Sequence, residues 1–332
     1  MMASECVASA AAPGTPAWAA LSSAVVRRLP LARYRAMNWL CRRSSARFVA
    51  DMPGTDRGLR FECDLRNGLS REVFFTGCYE PQETMIIRRL VAPGGTFVDV
   101  GAHWGYFSLI VADHVGRGGR VVSIEADPRV YGMLERSLAL NDLPQVRPVH
   151  AAAAAGTGHV TLIGFDETSD NWGTSRIDGG AAGPGGSYEV PARSVDEILD
   201  DLGVDVVDLI KMDIEGAEAL ALTGMAAGLR RGRYRRLLIE LHPARIVEHG
   251  TDADALIENL LGHGYRGWVI DHAPGEVRRA AYSPGGRADS FVRPLRRHEP
   301  LDDWPHLIFV LDGHPLLVDA PDRRAGVGRT PG

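Results

Sequence analysis

Apolar residues follow two alternating patterns from about residue 96 onward. Short, nearly uninterrupted apolar runs such as FVDV, VVSI, VDLI and LLIEL are typical of strands buried on both faces. Between most of these runs, apolar residues recur every three or four positions, as on one face of a helix. The patterns predict strands at 96–100, 120–125, 146–150, 206–212, 236–241, 265–270 and 306–311, and helices at 106–115, 129–140, 217–229 and 252–263. This alternation predicts an α/β fold with a doubly wound, mostly parallel sheet.

A different pattern precedes the sheet. Residues 1–16 are rich in Ala, Ser, Gly and Pro, which predicts disorder. Residues 17–47 have helical periodicity that Pro30 must kink or divide. Short strands are predicted at 58–65 and 72–75, and a helix at 81–91 that begins with a proline. Residues 17–92 are therefore expected to form an N-terminal cap of helices and short strands on a sheet domain at 93–318, followed by a disordered tail at 319–332.

Two insertions interrupt the sheet domain. Residues 151–191 contain a predicted strand pair, HVTLIG and YEVPA, joined by a long loop that ends rich in glycine. Residues 271–305 form a second insertion rich in Pro, Gly and Arg. Long loops inside a domain are commonly functional or disordered. We expect both insertions, together with the N-terminal helix, to shape a pocket for a substrate.

Composition excludes several classes of protein. The 332 residues carry a net charge of −5, which argues against a nucleic-acid partner. Arginines interrupt the longest apolar stretch, 17–40, so no membrane span is expected. The N-terminus lacks a basic segment typical of a secretion signal, and the spacing of the four cysteines matches neither a metal knuckle nor a disulfide framework. We therefore expect a cytoplasmic protein with reduced thiols. Lys211 is the only lysine in the sequence.

The segment TFVDVGAHWGYF is the strongest local motif, because a buried strand passes through Gly101 and Gly105 into a helix. It lacks the middle glycine of a dinucleotide fingerprint and the Gly-Lys-Ser/Thr of a P-loop. Glu125 ends the next strand, where a carboxylate can bind both ribose hydroxyls. Asp99 can face an amino group. A ribose beside a cationic amino acid describes S-adenosylmethionine (SAM), although Asp99 could instead cap the helix and Glu125 could be a solvated strand end.

These residues and further blocks resemble the FkbM-type SAM-dependent methyltransferases. The resemblance covers about half of the chain, from residue 77 to 242, and rests on blocks that include GCYEPQET, VVSIEADP, NWGTS, IKMDIEGAE and LLIELHP. The DIEGAE block followed by ELHP makes it specific to this family. It implies a seven-stranded, Rossmann-like class I methyltransferase sheet of order 3-2-1-4-5-7-6, with SAM as cofactor. Within the blocks, the expected cofactor contacts are Glu80, Asp99, Gly101, Ala102, His103, Gly105, Tyr106, Glu125, Ala126, Asp127, Lys211 and Asp213. The sequence departs from the family at His103-Trp104 and at Ala126, which we expect to change the shape of the pocket.

The strands on either side of the order reversal supply further polar residues. Lys211 and Asp213 share a strand face, and a buried lysine needs a carboxylate partner, for which Asp99, Asp208 and Glu240 are candidates. Glu240 and His242 end the neighbouring strand. Asp213, Glu240 and His242 are predicted to be catalytic; such a group could act in acid–base chemistry or bind a divalent cation, and no metal is predicted.

Three more residues are predicted to contact the substrate. Asn171 and Trp172 lie in the long loop, where they could cover the cofactor or bind an acceptor, although turn chemistry also explains Asn-Trp-Gly. Glu215 opens the next helix together with Glu218, and helix-end stabilisation is an alternative for both residues. Tyr79, Glu80 and Glu83 precede the glycine loop and either close the other side of the pocket or cap the following helix.

The sequence therefore predicts a SAM-dependent O-methyltransferase with His242 or Asp213 as the base. The resemblance implies a hydroxyl of a secondary metabolite or sugar as acceptor. The alternatives are an N- or carboxyl-methyltransferase and a non-catalytic SAM-binding partner in a biosynthetic complex, whereas the missing glycine disfavours a nicotinamide oxidoreductase. The expected partner is a small molecule, and a homo-oligomer is left open.

Overall fold

The computed structural model describes residues 13–29, 33–41, 44, 46–165, 175–177, 186–273, 275–276 and 288–318. The helices in this part of the chain are α1 (Ala17–Arg28), α2 (Arg33–Cys41), α3 (Gly68–Thr76), α4 (Pro81–Leu90), α5 (Tyr106–Val115), α6 (Pro128–Ala139), α7 (Val195–Asp201), α8 (Glu218–Gly224), α9 (Ala226–Arg230), α10 (Pro243–Ile246) and α11 (Ala253–Gly262). The strands are β1 (Arg47–Asp51), β2 (Arg60–Asp64), β3 (Thr96–Val100), β4 (Arg120–Glu125), β5 (Val146–His150), β6 (Ala152–Ala153), β7 (Gly158–Ile163), β8 (Arg176–Ile177), β9 (Ser187–Arg193), β10 (Leu209–Met212), β11 (Arg236–Glu240), β12 (Tyr265–Ile270), β13 (Val292–Pro294) and β14 (His306–Leu311).

The central sheet has eight strands in the order β13-β12-β14-β11-β10-β3-β4-β5. The neighbours from β11 to β5 are parallel, whereas β14 runs antiparallel to both β11 and β12. Read from β5, the first seven strands follow the order 3-2-1-4-5-7-6, so the predicted fold class is confirmed. The short edge strand β13 was not predicted, because a three-residue strand inside an irregular insertion gives no periodic signal.

The strands bury both faces, as their apolar runs predict. Phe97 and Val121 belong to the core on one face, together with buried residues of α4, α5 and α6. Val98 and Val122 belong to the core on the other face, with α7, α8 and α11. The side chains of adjacent residues thus point to opposite faces of the sheet, as the period of two along a strand requires. This arrangement fixes the carboxyl ends of β3, β4 and β10 along one edge of the sheet.

The N-terminal cap differs from the prediction in two places. Residues 72–75 were predicted as a strand, but they lie in α3, which Asn67 caps by accepting a hydrogen bond from Ser70 N at 2.8 Å. The prediction was wrong because four residues are too few to separate the two periodicities. The pattern also missed β1, which pairs antiparallel with β2. Pro13 O accepts a hydrogen bond from Val49 N, so residues 13–16 lie along β1; residues 1–12 and 319–332 lie outside the described part.

The insertion at 151–191 forms a small sheet of its own with the order β6-β9-β7-β8. Its antiparallel pair β7 and β9 matches the predicted strand pair. The predicted substrate contacts Asn171 and Trp172 lie outside the described residues. The predicted helix 217–229 is divided at Met225 into α8 and α9. None of the helices in the described ranges has the length and apolar character that a membrane span requires.

Candidate active site

A cavity of about 480 Å³ opens where the strand order reverses between β3 and β10. Ligands of doubly wound folds bind at this position, outside the carboxyl ends of the strands. The glycine loop after β3 and the ends of β4 and β10 form its floor, α2 and α3 of the cap form one wall, and the insertion sheet forms another. The described part of the 271–305 insertion does not line it. The cavity volume falls within the usual range for small-molecule sites.

Gly101 brings the loop against the end of β10. Its φ is 81°, and a Cβ there would lie 1.9 Å from the backbone oxygen of Asp213. The backbone N–H groups of Gly101 and Ala102 both donate to Ile124 O, at 2.9 and 3.0 Å. Gly105 caps α5 with a φ of 96°. The sequence thus folds here into a bend that is held against two strands at once.

His103 and Trp104, where the chain departs from the family pattern, point to different surroundings. His103 lines the cavity with a φ of 52°. Trp104 is fully buried and stacks on Phe61 of β2, with ring centroids 4.8 Å apart. The tryptophan therefore fills the core between the loop and the cap and does not reach the cavity, so of these two residues only the histidine lines the pocket.

Glu125 is held in place at the end of β4. Its carboxylate accepts hydrogen bonds from the backbone N–H groups of His103 and Asp127, both at 2.8 Å, and the residue lines the cavity. Burial raises the pKa of Glu125 to about 7, although these backbone donors favour the charged form. Each carboxylate oxygen keeps a further lone pair, so Glu125 can still accept hydrogen bonds from two hydroxyls of a ligand.

Asp99 does not face the cavity, contrary to the expected direct contact. Its carboxylate is 1% exposed and accepts a hydrogen bond from Ser108 Oγ at 2.7 Å, and Ser108 in turn shares one with Ser123. Burial raises the pKa of Asp99, against the effect of the nearby Lys211. The carboxylate points toward α5 because a hydroxyl partner is available there. It affects the cavity by raising the pKa of Lys211, which lines it.

Lys211 and Asp213 both line the cavity and pair with each other, Nζ to Oδ2, at 3.5 Å. Of the partners proposed for Lys211, Asp99 is its register neighbour on β3, whereas Asp208 pairs with Arg235. Burial opposes the charge of Lys211, but Asp213, Glu80, Asp99 and Glu240 raise its pKa. The pKa of Asp213 is lowered despite burial, mainly by Lys211. The cavity wall thus offers one charge of each sign.

Asp127 does not reach the cavity either. It caps α6 by accepting from Arg129 N at 2.8 Å, pairs with the Arg129 side chain, and accepts hydrogen bonds from Ser175 Oγ and Tyr188 OH. Despite burial, these donors lower its pKa. The residue is 1% exposed, so its role in the structure is to tie α6 to the insertion sheet.

The other expected cofactor contacts divide into two groups. Ala102, Tyr106 and Ala126 line the cavity. Glu80 does not line it; burial raises its pKa, although Lys211 opposes this. Tyr106 also connects the loop before α4 to α5, because its hydroxyl accepts a hydrogen bond from Tyr79 N at 3.0 Å.

Glu215 is the second carboxylate that faces the cavity from the segment after β10. It has a φ of 55°, pairs with Arg245, and lies 3.4 Å from His242 Nε2. Burial and the negative charge of Asp213 raise the pKa of Glu215, against the effects of His242 and Arg245. Glu215 is therefore a stronger base than Asp213, whose pKa is lowered.

Glu240 and His242 lie behind the cavity wall and are not among its lining residues. His242 is 4% exposed, and its Nδ1 lies 2.8 Å from Glu218 Oε1. Burial opposes protonation of His242, but the carboxylates of Glu218, Asp213 and Glu215 raise its pKa. Burial and the charges of Asp213 and Glu80 raise the pKa of Glu240 to about 10. Both side chains lie outside the cavity lining, so neither residue is placed to take a proton from a ligand in the cavity.

Sequence reasoning missed the polar residues that the cap contributes. Tyr34, Arg71 and Glu72 line the cavity, and Tyr34 OH donates to Glu72 Oε1 at 3.1 Å. Burial raises the pKa of Glu72 to about 7. No local signal marks these residues, because α2 and α3 reach the site only through the packing of the cap on the sheet.

Comparison with known proteins identifies the domain. A family model described as the methyltransferase FkbM domain matches residues 99–266. The AMB antimetabolite synthetase AmbE of Pseudomonas aeruginosa is 25% identical over 247 residues, 65% of this chain and 11% of that protein. Methyltransferase sdnD of Sordaria araneosa is 29% identical over 186 residues, 47% of this chain and 67% of that protein. The chain thus spans about a tenth of the first relative and two thirds of the second. Among solved structures, M. jannaschii TYW2 in complex with AdoMet gives a TM-score of 0.36 at 14% identity, over 80% of this chain and 86% of that one.

Proposed function

The chain belongs to the FkbM methyltransferase family, whose domain is that of a SAM-dependent methyltransferase, and we propose that the whole protein transfers a methyl group from SAM to a hydroxyl of a small molecule. One observation carries this proposal. Glu125 faces the cavity beside the glycine loop, while Asp213, Glu215 and Lys211 face it from the end of β10. Cofactor-binding and acid–base groups therefore share one enclosed space.

The residues present fit SAM. Glu125 can accept hydrogen bonds from the two ribose hydroxyls, because its own backbone donors leave lone pairs free. Lys211 and Asp213 offer opposite charges to the carboxylate and the amino group of a zwitterionic tail. The close approach of Gly101 to β10 puts both sets of groups around one cavity. When bound, SAM supplies a methyl group on a positively charged sulfur.

We assign the general base to Glu215, in place of His242 or Asp213. An alcohol is a weak nucleophile, so removal of its proton assists the formation of the oxygen–carbon bond. Glu215 faces the cavity, has a raised pKa, and can accept that proton on its carboxylate. Asp213 is a weaker base because Lys211 lowers its pKa. His242 lies 3.4 Å behind Glu215 and orients that carboxylate.

The acceptor is proposed to be a small metabolite. The cavity is partly apolar, lined by Met37 and Leu69 of the cap and by Leu162 and Ile177 of the insertion sheet. Its volume suits a cofactor and a small molecule better than a macromolecular substrate. The name of the relative AmbE, an antimetabolite synthetase, supports a biosynthetic acceptor.

Free thiols at Cys41, Cys63 and Cys78 support a cytoplasmic location.

Mass spectrometry with isotopically labelled SAM and a panel of hydroxylated metabolites tests the proposal. We expect one acceptor to gain a single labelled methyl group on oxygen. Glu215→Gln should lower kcat by about 10²–10⁴-fold with little change in SAM affinity, because the base acts only in the chemical step. Glu248→Gln, at an exposed acid outside the site, is the matched control. Transfer to nitrogen, or unchanged turnover in Glu215→Gln, would contradict the assignment.

A further inference from the structure

A second group of ionisable side chains lies behind the cavity, and the methyl-transfer chemistry does not use it. It consists of Glu83 on α4, His272 just after β12 and His306 at the start of β14. Glu83 Oε1 is 2.8 Å from His272 Nε2 and 3.0 Å from His306 Nδ1. None of the three residues lines the cavity. Two imidazoles and one carboxylate, carried by three separate elements, thus converge at one oxygen.

The contacts of Glu83 are short but are not hydrogen bonds. The carboxylate is completely buried, and within the described part of the chain neither oxygen has a hydrogen-bond partner of acceptable geometry; the same holds for His272 Nε2. A buried carboxylate without hydrogen bonds is costly. Three potential ligand atoms thus lie close together without the hydrogen bonds that would explain their proximity.

The other ring nitrogens strengthen this interpretation. His272 Nδ1 lies 3.2 Å from the carbonyl oxygen of Ile270, which can only accept, so Nδ1 carries a proton and a neutral ring presents a lone pair at Nε2. His306 Nε2 faces Glu240 Oε2 at 3.5 Å. Histidines that bind metals commonly donate their second N–H to a carbonyl or a carboxylate in this way.

We propose that Glu83, His272 and His306 bind a divalent transition-metal ion. Ligand atoms about 2.0–2.1 Å from one tetrahedral ion lie roughly 3.3 Å from each other, so the separations of 2.8 and 3.0 Å between Glu83 Oε1 and the two imidazoles need to widen by only about 0.3–0.5 Å to admit an ion. Two imidazole nitrogens and one carboxylate favour Zn²⁺ or a similar borderline ion over Mg²⁺ or Ca²⁺. The ion would join α4 to the ends of β12 and β14 and would hold His306 against Glu240.

The competing explanation is that both histidines are protonated and neutralise Glu83 as ion pairs. The two explanations differ in what they require of added metal. If the three residues are metal ligands, each chain binds one ion, and its affinity for that ion depends on each of the three side chains. If they form histidinium ion pairs, the chain binds no ion.

The test is a titration of the full chain, stripped with a chelator, with Zn²⁺ alone against a competing chromophoric chelator. We expect one tightly bound Zn²⁺ per chain and a rise in the thermal midpoint on binding. His272→Ala should weaken Zn²⁺ binding by at least about 10-fold, because loss of an outer partner alone has that effect. His272 is partly exposed, so this variant should fold even if Glu83→Gln does not. His159→Ala, at an exposed histidine on β7, is the matched control and should bind as the wild type does.

Three results would overturn the proposal. The first is the absence of stoichiometric Zn²⁺ binding. The second is an equal Zn²⁺ affinity in wild type and His272→Ala. The third is binding that is lost in His242→Ala but retained in His272→Ala, which would place the ion instead among Asp213, Glu215 and His242, where potential ligand atoms also lie close together.

Discussion

Each carboxylate around the cavity has a protonation state set by its immediate neighbours. Glu125 is buried among backbone donors and has its pKa raised to about 7. Asp213 lies beside Lys211, which lowers its pKa. Glu240 is buried among other acids, and its pKa is raised to about 10. Sequence identifies the carboxylates, but only packing decides which of them are charged at neutral pH.

Replacing Glu125 by Gln should weaken SAM binding by roughly 10- to 100-fold, because hydrogen bonds to a charged group contribute about 1.5–3 kcal/mol. Protonation of Glu125 removes the same negative charge and should also weaken SAM binding. The wild-type affinity should therefore rise as the pH increases through about 7, where Glu125 ionises, and should level off above that value.

Isothermal titration calorimetry across this pH range measures both effects. Glu125→Gln should lose the pH dependence together with the affinity. Glu135→Gln, at an exposed acid on α6, should behave as the wild type. Equal SAM affinity in Glu125→Gln and wild type would show that Glu125 does not bind the ribose.

Gly101→Ala tests the close approach of the loop to β10. The new Cβ would lie 1.9 Å from a backbone oxygen, so the loop or the strand must move. Gly116→Ala is the control, because its φ of 68° is also positive but nothing lies within 4 Å of the added carbon. The control should cost only about 1–3 kcal/mol of backbone strain, because its φ and ψ lie in a region that glycine occupies almost alone. Thermal unfolding should show a larger loss for Gly101→Ala; equal losses would contradict the geometry.

At the level of elements, the insertion sheet and the cap enclose a site whose floor is built from strand ends. The sequence singles out the residues that form the floor, because the glycine loop and the acids of β4 and β10 lie in locally recognisable segments. It predicted the walls only in outline, from the N-terminal helix and the 151–191 insertion, and missed Tyr34, Arg71 and Glu72, which line the cavity. Glu72 was assigned to a strand and lies on α3. Behind the cavity, the pairing of Glu83 with His306 joins residues 223 positions apart. Such contacts depend on how elements pack, which periodicity does not report.

Asp127 provides the test at this scale, since it caps α6 and also holds Ser175 and Tyr188 of the insertion. Asp127→Ala should lower the free energy of unfolding by about 2–4 kcal/mol, since it removes several hydrogen bonds to a buried charge. Asp252→Ala removes only the cap of α11 and should cost about 1 kcal/mol.

Urea denaturation measures both variants, and limited proteolysis locates the effect. Cleavage of Asp127→Ala should concentrate between residues 151 and 193. Matching stability and matching cleavage patterns in the two variants would show that Asp127 acts only as a helix cap.

For the whole molecule, strand order determines where chemistry can occur. The reversal between β3 and β10 leaves a crevice that helices cannot fill, and the resemblance implied that order. The eighth strand and the roles of Asp99 and Asp127 were not predicted, because each depends on partners distant in sequence. The fold was therefore more predictable than the site it supports.

A ligand that binds only the folded protein must stabilise the whole molecule. At a SAM concentration of 100 times Kd, the expected gain is about 2.7 kcal/mol. Differential scanning fluorimetry should show a higher thermal midpoint with SAM than without it, whereas NAD should have no effect. Protection by NAD and none by SAM would contradict the assigned cofactor.

The most direct measurement is a crystal structure with S-adenosylhomocysteine bound. We expect both ribose hydroxyls to contact the carboxylate of Glu125 and the sulfur to face the side of the cavity lined by Asp213 and Glu215. An adenosyl group bound elsewhere, or Glu125 turned away from the ribose, would contradict it.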